Sequence, residues 1–452
     1  MQVDTREWQR RDATHHLHPF TDHEQLRNKG SRIITRGEGV YLIDSEGNRI
    51  LDGMAGLWCV NMGYGREELI EAAERQMREL PYYNLFFQTA HPPAIELASL
   101  LAEVTPPGLN QVFFTGSGSE CNDTVLRMVR HYWASLGQPE RQVIISRHNA
   151  YHGSTVAGAS LGGMKGMHEQ GSLPIPGIVH IDQPYHFGEG QGMTPHEFGL
   201  ERARQLEKKI LELGADKVAA FIGEPIQGAG GVIIPPESYW PEIQRICDHY
   251  GILLIADEVI CGFGRTGQWF ASQTFDLRPD FICMAKGITS GYVPLGGVMV
   301  SDRVAKVLER NGEFAHGFTY SGHPVACAVA IANIKLMQKE NIVSRVHDRI
   351  APYLQRRWSE LGQLPIVGET RGKGMVAALE IVQNKQDNSR FPAAARAGLT
   401  CREFCFNNGL VMRAVGDTMI ISPPLVITET EVDNLVALAR QSLEMTAASL
   451  LG

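Results

Sequence analysis

Residues 252–286 read ILLIADEVICGFGRTGQWFASQTFDLRPDFICMAK, and this stretch decides the fold. It contains two short runs of consecutive apolar residues, ILLIA (252–256) and FICMA (281–285), each followed by a charged side chain. The same kind of run recurs as QVFFT (111–115), QVIIS (142–146), VAAFI (218–222) and GGVMV (296–300). Continuous apolar runs that alternate with helical stretches are typical of a parallel sheet buried on both faces. The sequence therefore predicts an α/β fold around a mostly parallel sheet of five to seven strands, flanked by helices.

The segments on either side of this region have a different pattern. Residues 32–53 alternate short apolar runs with turn residues, which predicts a small β-meander. After residue 325, long helical stretches mix with shorter β-like pieces, which predicts an α+β unit. We expect an N-terminal arm and meander (1–59) that belong to a small domain, a large domain (60–325), and the rest of the small domain (326–452).

Composition places the chain among ordinary globular enzymes. Of its 452 residues, 43% are hydrophobic and 20% charged, which is enough apolar material for a large core. The net charge of −8 argues against a nucleic-acid partner. The eight cysteines form no CxxC pair, so no metal site is predicted from them. The charged N-terminus and the absence of any apolar run of about 18 residues lead us to expect a cytoplasmic protein without a membrane partner.

A Gly/Ser turn follows the first predicted strand of the sheet. In QVFFTGSGSECNDT, Gly116 to Ser119 stand where strand gives way to helix. Small residues there let the free N–H groups and the positive end of the helix dipole approach a phosphate. A plain helix cap is the other reading of the same turn. It is not a dinucleotide-binding fingerprint, because the third glycine is missing.

Asp257 and Lys286 carry the chemistry that the sheet would position. Each follows an apolar run directly, at the strand end where open α/β sheets bind ligands. A carboxylate there can hold a pyridine nitrogen in its protonated form, and a partly desolvated lysine becomes a nucleophile toward an aldehyde. Capping or ion pairing is the alternative for the aspartate, and a solvent-directed ammonium the alternative for the lysine. Together they match the protein groups that serve pyridoxal phosphate.

In this order, the motifs resemble those of the class III aminotransferases, or ω-transaminases, which have PLP fold type I. The DEVICGFGRTG stretch followed by a Lys-Gly pair is the most specific part of the resemblance. The matching stretches are GSGSECNDT, AYHGST, GEPIQGAGGVIIPP, LLIADEVICGFGRTG, MAKGITSGYVPLGG and HGFTYSGHPVACA, with DGMAGLWCVNMGYG and GLVMRAVGDTMIISPPL toward the two ends. The resemblance thus covers nearly the whole chain.

The resemblance implies pyridoxal 5′-phosphate as the cofactor, held by Lys286 as a Schiff base. Lys286 would then move a proton between the substrate carbon and the cofactor. Asp257 would pair with the pyridine nitrogen, and Tyr151, followed by His152, would stack on the ring. The other cofactor-binding residues implied are Ser117, Gly118 and Ser119 at the phosphate, Val259 on the opposite ring face, and Glu224 near the ring hydroxyl.

The resemblance also implies an active site shared between two subunits. Thr319 would reach the phosphate of the neighbouring subunit, which implies a homodimer or a tetramer of two such dimers. Arg413 resembles a mobile arginine that binds the carboxylate of pyruvate and moves away for an amine without one. Trp58 would line the substrate pocket, although a core aromatic is an equal reading without the resemblance. The implied substrate-binding residues are Trp58, Phe86, Tyr151, Phe318 and Arg413.

Transamination from a primary amine to pyruvate is the function we expect. DGMAGLWCVNMGYG and the pair Phe86-Phe87 most resemble bacterial enzymes acting on putrescine and other polyamines. β-Alanine or another ω-amino acid is the alternative donor. An aminomutase, racemase or decarboxylase reaction would use the same cofactor residues. A non-catalytic amine-binding protein is the remaining alternative, which the intact Lys286 and Asp257 disfavour.

Overall fold

The structure is a computed structural model that describes residues 4–451, and the strands in this part of the chain form three sheets. The N-terminal strands are β1 (Ile34–Glu38), β2 (Tyr41–Asp44) and β3 (Arg49–Asp52). The central strands are β4 (Leu109–Thr115), β5 (Val143–Arg147), β6 (Ile178–Ile181), β7 (Val218–Gly223), β8 (Leu253–Asp257), β9 (Phe281–Met284) and β10 (Gly296–Ser301). The C-terminal strands are β11 (Val367–Lys373), β12 (Val376–Ile381), β13 (Leu410–Val411), β14 (Arg413–Val415) and β15 (Thr418–Ile421).

The central sheet confirms the predicted α/β fold. Its seven strands lie in the order β4-β10-β9-β8-β7-β5-β6, and all six predicted runs are strands. Strand β10 runs antiparallel to both neighbours, whereas β5 to β9 pair in parallel. The link between β9 and β10 (285–295) holds only one 3₁₀ turn, Lys286–Thr289. A parallel crossover needs about a dozen residues and usually a helix, so this short link suits the antiparallel pairing of β10 with β9.

Helices cover both faces of this sheet, because alternate strand residues point to opposite sides. In β8, Ile255 belongs to the apolar cluster with Val125 and Val129, whereas Leu254 belongs to the cluster with Ile243 and other helical residues on the opposite face. The α-helices are α1 (Thr5–His15), α2 (His23–Lys29), α3 (Ala55–Trp58), α4 (Glu67–Glu79), α5 (Pro92–Val104), α6 (Gly118–Ser135), α7 (Val156–Leu161), α8 (Lys165–Gly171), α9 (His186–Glu189), α10 (Pro195–Leu213), α11 (Tyr239–Tyr250), α12 (Ala271–Thr274), α13 (Asp302–Arg310), α14 (Pro324–Lys339), α15 (Ile342–Arg345), α16 (Ala351–Ser359), α17 (Ala397–Asn407) and α18 (Glu429–Leu451). None of those within residues 4–451 has both the length and the apolar character that crossing a bilayer requires.

The N-terminal meander and the C-terminal region share a sheet. Strands β1, β2 and β3 form the predicted meander, and β13 pairs with β3 in parallel. The remaining C-terminal strands form a separate sheet in the order β11-β12-β15-β14. This pairing supports grouping residues 1–59 with 326–452, and the domain boundaries themselves stay a prediction.

The functional groups converge at one edge of the central sheet. Strands β4, β7, β8 and β9 end there at Thr115, Gly223, Asp257 and Met284. The α6 helix starts just beyond β4, and Lys286 lies just beyond β9. This is the edge at which open α/β sheets bind ligands.

Candidate active site

One cavity at this sheet edge brings together most of the predicted cofactor-binding residues. Those that line it are Ser117, Gly118, Ser119, Tyr151, His152, Glu224, Asp257, Val259 and Lys286. Five other residues complete the lining: Leu57, Asn122, Gly153, Ile260 and Ala285. These residues come from strand ends, from the start of α6 and from the loops between such elements, so only the folded chain forms the cavity.

Asp257 is a buried carboxylate that stays charged. Its Oδ2 accepts hydrogen bonds from His152 Nδ1 (2.7 Å) and Asn122 Nδ2 (2.9 Å). Burial acts to raise the pKa of Asp257, but the hydrogen bonds from His152, Asn122 and Val259 outweigh it and hold the pKa below its usual value. Among the described residues, Oδ1 accepts only the N–H of Val259 (3.1 Å). The second oxygen therefore has capacity for one more donor from the cavity.

The Gly/Ser turn forms the N-terminus of the long helix α6. Ser117 caps this helix, and its Oγ accepts the N–H of Glu120 (3.2 Å). Within residues 4–451, the N–H groups of Gly118 and Ser119 donate to no acceptor. Ser119 Oγ accepts the N–H of Ser154 (3.1 Å) and keeps its own proton to donate. Two free N–H groups, a hydroxyl and the helix dipole make a site for a phosphate.

Glu224 fixes the loop that carries Tyr151. Its two carboxylate oxygens accept the N–H groups of Tyr151 (3.0 Å) and Gly228 (2.9 Å). Burial raises the pKa of Glu224 above its usual value. The Tyr151 hydroxyl hydrogen-bonds with Ser154 Oγ (3.1 Å), which also orients the ring at the cavity.

Lys286 stands in a rigid turn with its amine uncommitted. Its φ of +48° is a left-handed conformation, which costs an ordinary residue about 1–3 kcal/mol and is usually imposed by its surroundings. The turn is fixed by Asn333, whose Nδ2 donates to the carbonyls of Gly287 (2.9 Å) and Ile288 (3.0 Å). Burial lowers the pKa of Lys286, and the charge of Arg413 lowers it further. Within residues 4–451 its Nζ makes no hydrogen bond, so the amine is free to react.

Arg413 lies on β14, close enough to influence both Lys286 and Tyr151 electrostatically. Burial lowers the pKa of its guanidinium. No hydrogen bond or ion pair holds that guanidinium within the described chain, unlike Arg371 on β11 of the same sheet, which pairs with Glu369 and Glu380. A partly buried, uncommitted arginine can bind a carboxylate by two parallel hydrogen bonds.

Besides Arg413, four of the predicted substrate or cofactor contacts lie outside the lining of this cavity. Trp58 is 2% exposed and packs in an apolar cluster with Ile260 and others, while its neighbour Leu57 lines the cavity. Phe86 packs against Gly317, near Phe318 and Thr319. The roles of Trp58, Phe86, Phe318 and Thr319 therefore stay predictions. They are Trp58 in the substrate pocket, Phe86 and Phe318 at the substrate, and Thr319 at the phosphate of a second subunit.

The structure adds site residues that we did not predict. Asn122 lies one helical turn after Gly118, and it donates to both Asp257 and the carbonyl of His152 (2.8 Å). A polar side chain on a buried face of a helix is the sequence pattern that could have indicated Asn122 as a site residue. Phe20 comes from the N-terminal arm, and its ring meets Tyr151 edge-on at 6.4 Å between centroids. Nothing in the sequence around Phe20 indicates this contact.

Comparison with known proteins agrees with this geometry. The family model for class-III aminotransferases matches residues 25–443. A putrescine–pyruvate aminotransferase from Pseudomonas aeruginosa is 66% identical over 447 residues, which cover 99% of this chain and 98% of that protein. An (S)-enantioselective ω-transaminase from Thermomicrobium roseum superposes with a TM-score of 0.94 at 44% identity, over 100% of this chain and 99% of its own. An ω-transaminase from Pseudomonas jessenii in complex with PMP gives 0.95 at 41%, over 98% of each chain.

The chain belongs to the class III aminotransferases. It is accordingly a transaminase that depends on pyridoxal 5′-phosphate. The cavity suits this cofactor, since it offers free N–H groups for a phosphate, a buried carboxylate for a pyridinium nitrogen, and an uncommitted amine for an aldehyde. When bound, the cofactor supplies an aldehyde that accepts the amino group and a ring that takes up electrons from the reacting carbon.

Proposed function

We propose that this protein transfers the amino group of putrescine or a related primary amine to pyruvate, giving an aldehyde and alanine. The observation that carries this proposal is the 66% identity, along nearly the whole chain, to a putrescine–pyruvate aminotransferase. The site supports it, because the cavity holds a reactive amine at Lys286, and Arg413, which acts electrostatically on Lys286 and Tyr151, can receive a carboxylate.

In this proposal each cavity residue has a defined task. Lys286 binds the cofactor aldehyde and then carries the proton that the donor carbon loses. Asp257 keeps the pyridine nitrogen protonated, and the N–H groups at the start of α6 bind the phosphate. Tyr151 covers one face of the ring and Val259 the other. Val259 is well placed for this, because its side chain already fills the space that a Cβ on Gly118 would need, at 3.0 Å.

Arg413 explains how one cavity can serve two unlike substrates. Pyruvate has a carboxylate, which a guanidinium binds by charge-assisted hydrogen bonds. A diamine is positive and has no carboxylate, so the guanidinium gains nothing by facing it. Because no partner ties Arg413 down within residues 4–451, its side chain can turn toward pyruvate and away from an amine.

Replacing Arg413 with alanine is expected to raise KM for pyruvate about 10–100-fold, which is the worth of a hydrogen-bonded ion pair. The half-reaction with putrescine should change much less, because it uses no carboxylate. Steady-state alanine formation at varied pyruvate concentration measures the effect on pyruvate. Single-turnover kinetics with putrescine measure the effect on the amine half-reaction. The Arg413→Lys variant keeps the charge but loses the two-pronged geometry, so its KM for pyruvate should lie between those of the parent and the alanine variant. Equal losses for both substrates would contradict the assigned role.

The donor is tested by alanine formation from pyruvate with putrescine, spermidine, β-alanine and 1-phenylethylamine as separate donors. We expect putrescine to give the highest kcat/KM. β-Alanine should be slower, because its carboxylate must take the place of the distal ammonium of the diamine. A clear preference for β-alanine would replace the proposed donor with an ω-amino acid and leave the reaction type intact.

We further propose a homodimer, or a tetramer of two dimers, that works in the cytoplasm. Exposed aromatic side chains support the dimer, since Tyr320, which follows Thr319, is 66% exposed in the single chain and Phe87 is 91% exposed. Sedimentation of the cofactor-loaded protein measures the state, and a monomer would contradict it. The eight free thiols favour a reducing compartment.

A further inference from the structure

The N-terminal arm carries a cluster of metal-binding side chains away from the cavity. Asp12, His16 and His18 each offer one ligand atom, and these atoms lie within 4.8 Å of one another. The cluster lies at the end of α1, where the chain turns toward α2. We propose that these three residues form a binding site for one divalent transition-metal cation of the zinc class. This inference does not depend on the identity of the amine donor.

The local fold brings the three ligands together. Asp12 and His16 are one helical turn apart, which places them on the same side of α1. The helix ends at His15, and the backbone of His16 is extended, so the chain turns back and His18 Nε2 reaches both carboxylate oxygens of Asp12 at 2.9 Å. The backbone N–H of His18 donates to His23 Nε2 (2.9 Å), which fixes the position of the third ligand.

The arm as a whole is anchored to the protein, so the site does not sit on a free tail. Thr5 Oγ1 donates to Ser45 Oγ of the meander (2.8 Å), and Gln9 Nε2 donates to the carbonyl of Ser31 (2.9 Å). An anchored arm loses little conformational entropy when it binds a metal, which favours affinity. The side chain of Asp12 is only 17% exposed, while that of His16 is 59% exposed, which leaves an entry path for the ion.

The distances suit a tetrahedral ion with a small adjustment. Ligand atoms about 2.0–2.1 Å from zinc are about 3.3–3.4 Å apart in a tetrahedron. The observed separations from Asp12 Oδ1 are 3.0 Å to His16 Nδ1 and 2.9 Å to His18 Nε2. Each histidine nitrogen therefore needs to move away from Asp12 Oδ1 by less than about 0.5 Å, which rotation of the side chains provides. A water molecule would complete the coordination.

The ligand set selects the class of cation. Two imidazoles and one carboxylate suit zinc, copper, nickel or cobalt, whereas calcium and magnesium require oxygen ligands. Without a metal, each imidazole directs a ring N–H at Asp12. A bound cation takes the place of those two protons, and each imidazole then carries its proton on the other ring nitrogen.

The proposed metal site lies next to the turn that positions Phe20 against Tyr151, so it is connected to the amine cavity. Phe20 has a φ of +49° and its side chain is 77% exposed, so little besides the arm holds it there. A cation bound at Asp12, His16 and His18 would tie the start of this turn to α1. The bound metal would thus brace the arm beside the amine cavity.

Zinc binding to the full-length, tag-free, cofactor-loaded protein tests the proposal. Equilibrium dialysis should give saturable binding of one Zn²⁺ per chain. The His16→Gln and His18→Gln variants should each lose at least about tenfold in affinity, since losing even an outer partner of a metal ligand costs that much. The His15→Gln variant is the matched control, because His15 lies on the same arm outside the cluster, and it should bind as the parent does.

A second probe reports the ligands directly. Co²⁺ bound by two imidazoles and a carboxylate should give visible d–d absorption that the His18→Gln variant lacks. Alanine formation should be preserved in all three variants, which verifies that they fold. The proposal is overturned if no saturable zinc binding occurs in the micromolar range, or if the His16 and His18 variants bind zinc as well as the His15 variant.

Discussion

Replacing Lys286 with alanine is expected to lower kcat for alanine formation by at least about 10²–10⁴-fold, the usual contribution of a positioned proton carrier. The loss should exceed this range, because the same amine also makes the covalent link to the cofactor. No other lysine lines the cavity in the described chain, so none can take its place. Steady-state rates with putrescine and pyruvate measure the effect.

The same variant should still bind cofactor, which separates lost chemistry from lost folding. The free N–H groups of α6 and the Asp257 carboxylate do not depend on the lysine amine. Borohydride should make the link between the cofactor and Lys286 permanent in the parent. Mass spectrometry should then find the cofactor attached at Lys286 in the parent and no attached cofactor in the variant. Lys306→Ala is the control, since Lys306 is exposed on α13. Near-normal turnover by the Lys286 variant would overturn its assigned role.

Exchanging Asp257 for asparagine is expected to reduce kcat about 10²–10³-fold, as for other losses of one electrostatic contact to the reacting system. The change keeps the size of the side chain and removes its charge. An amide cannot hold a pyridine nitrogen in its protonated form, so the ring would draw electrons less strongly from the reacting carbon. The comparison of kcat and cofactor affinity between variant and parent measures the effect.

The surroundings of Asp257 make this a clean substitution. An asparagine carbonyl oxygen can still accept from Asn122 and His152, so the cavity should keep its shape. Asp276→Asn is the control, because Asp276 is exposed and its φ of +53° suits asparagine. Full activity of the Asp257 variant would mean that ring protonation does not require this carboxylate.

The central sheet and the position of its functional groups could be predicted because they depend on local pattern. An apolar run followed by a charged residue places that residue at a strand end, which is how Asp257 and Lys286 were found. The direction of a strand is not encoded in its apolar residues, so the sequence predicted a mostly parallel sheet without indicating that β10 is the antiparallel strand. Strand β6 was missed because it lies at the sheet edge and includes His180, which hydrogen-bonds to the carbonyl of Gly162 (2.8 Å).

Contacts set by distant segments could not be read from the sequence. Gly56 and Leu57 break the helical geometry before Trp58, and Trp58 itself has a φ of +66°. The directions of the Leu57 and Trp58 side chains therefore depend on the surrounding fold and not on regular helical spacing. Phe20 reaches Tyr151 only because the arm folds back over the sheet edge. Asn122 was overlooked because a polar residue in a helix has no assigned partner until the neighbouring strands are in place.

The most direct test of amine-to-pyruvate transfer is a count of alanine from a single turnover. The cofactor-loaded protein is incubated with putrescine alone, freed of the amine by gel filtration, and then given pyruvate. We expect one alanine per active site, and none if putrescine is left out, because the protein must store the amino group between the two steps. No alanine after the putrescine step, or an equal amount without it, would contradict the proposed reaction.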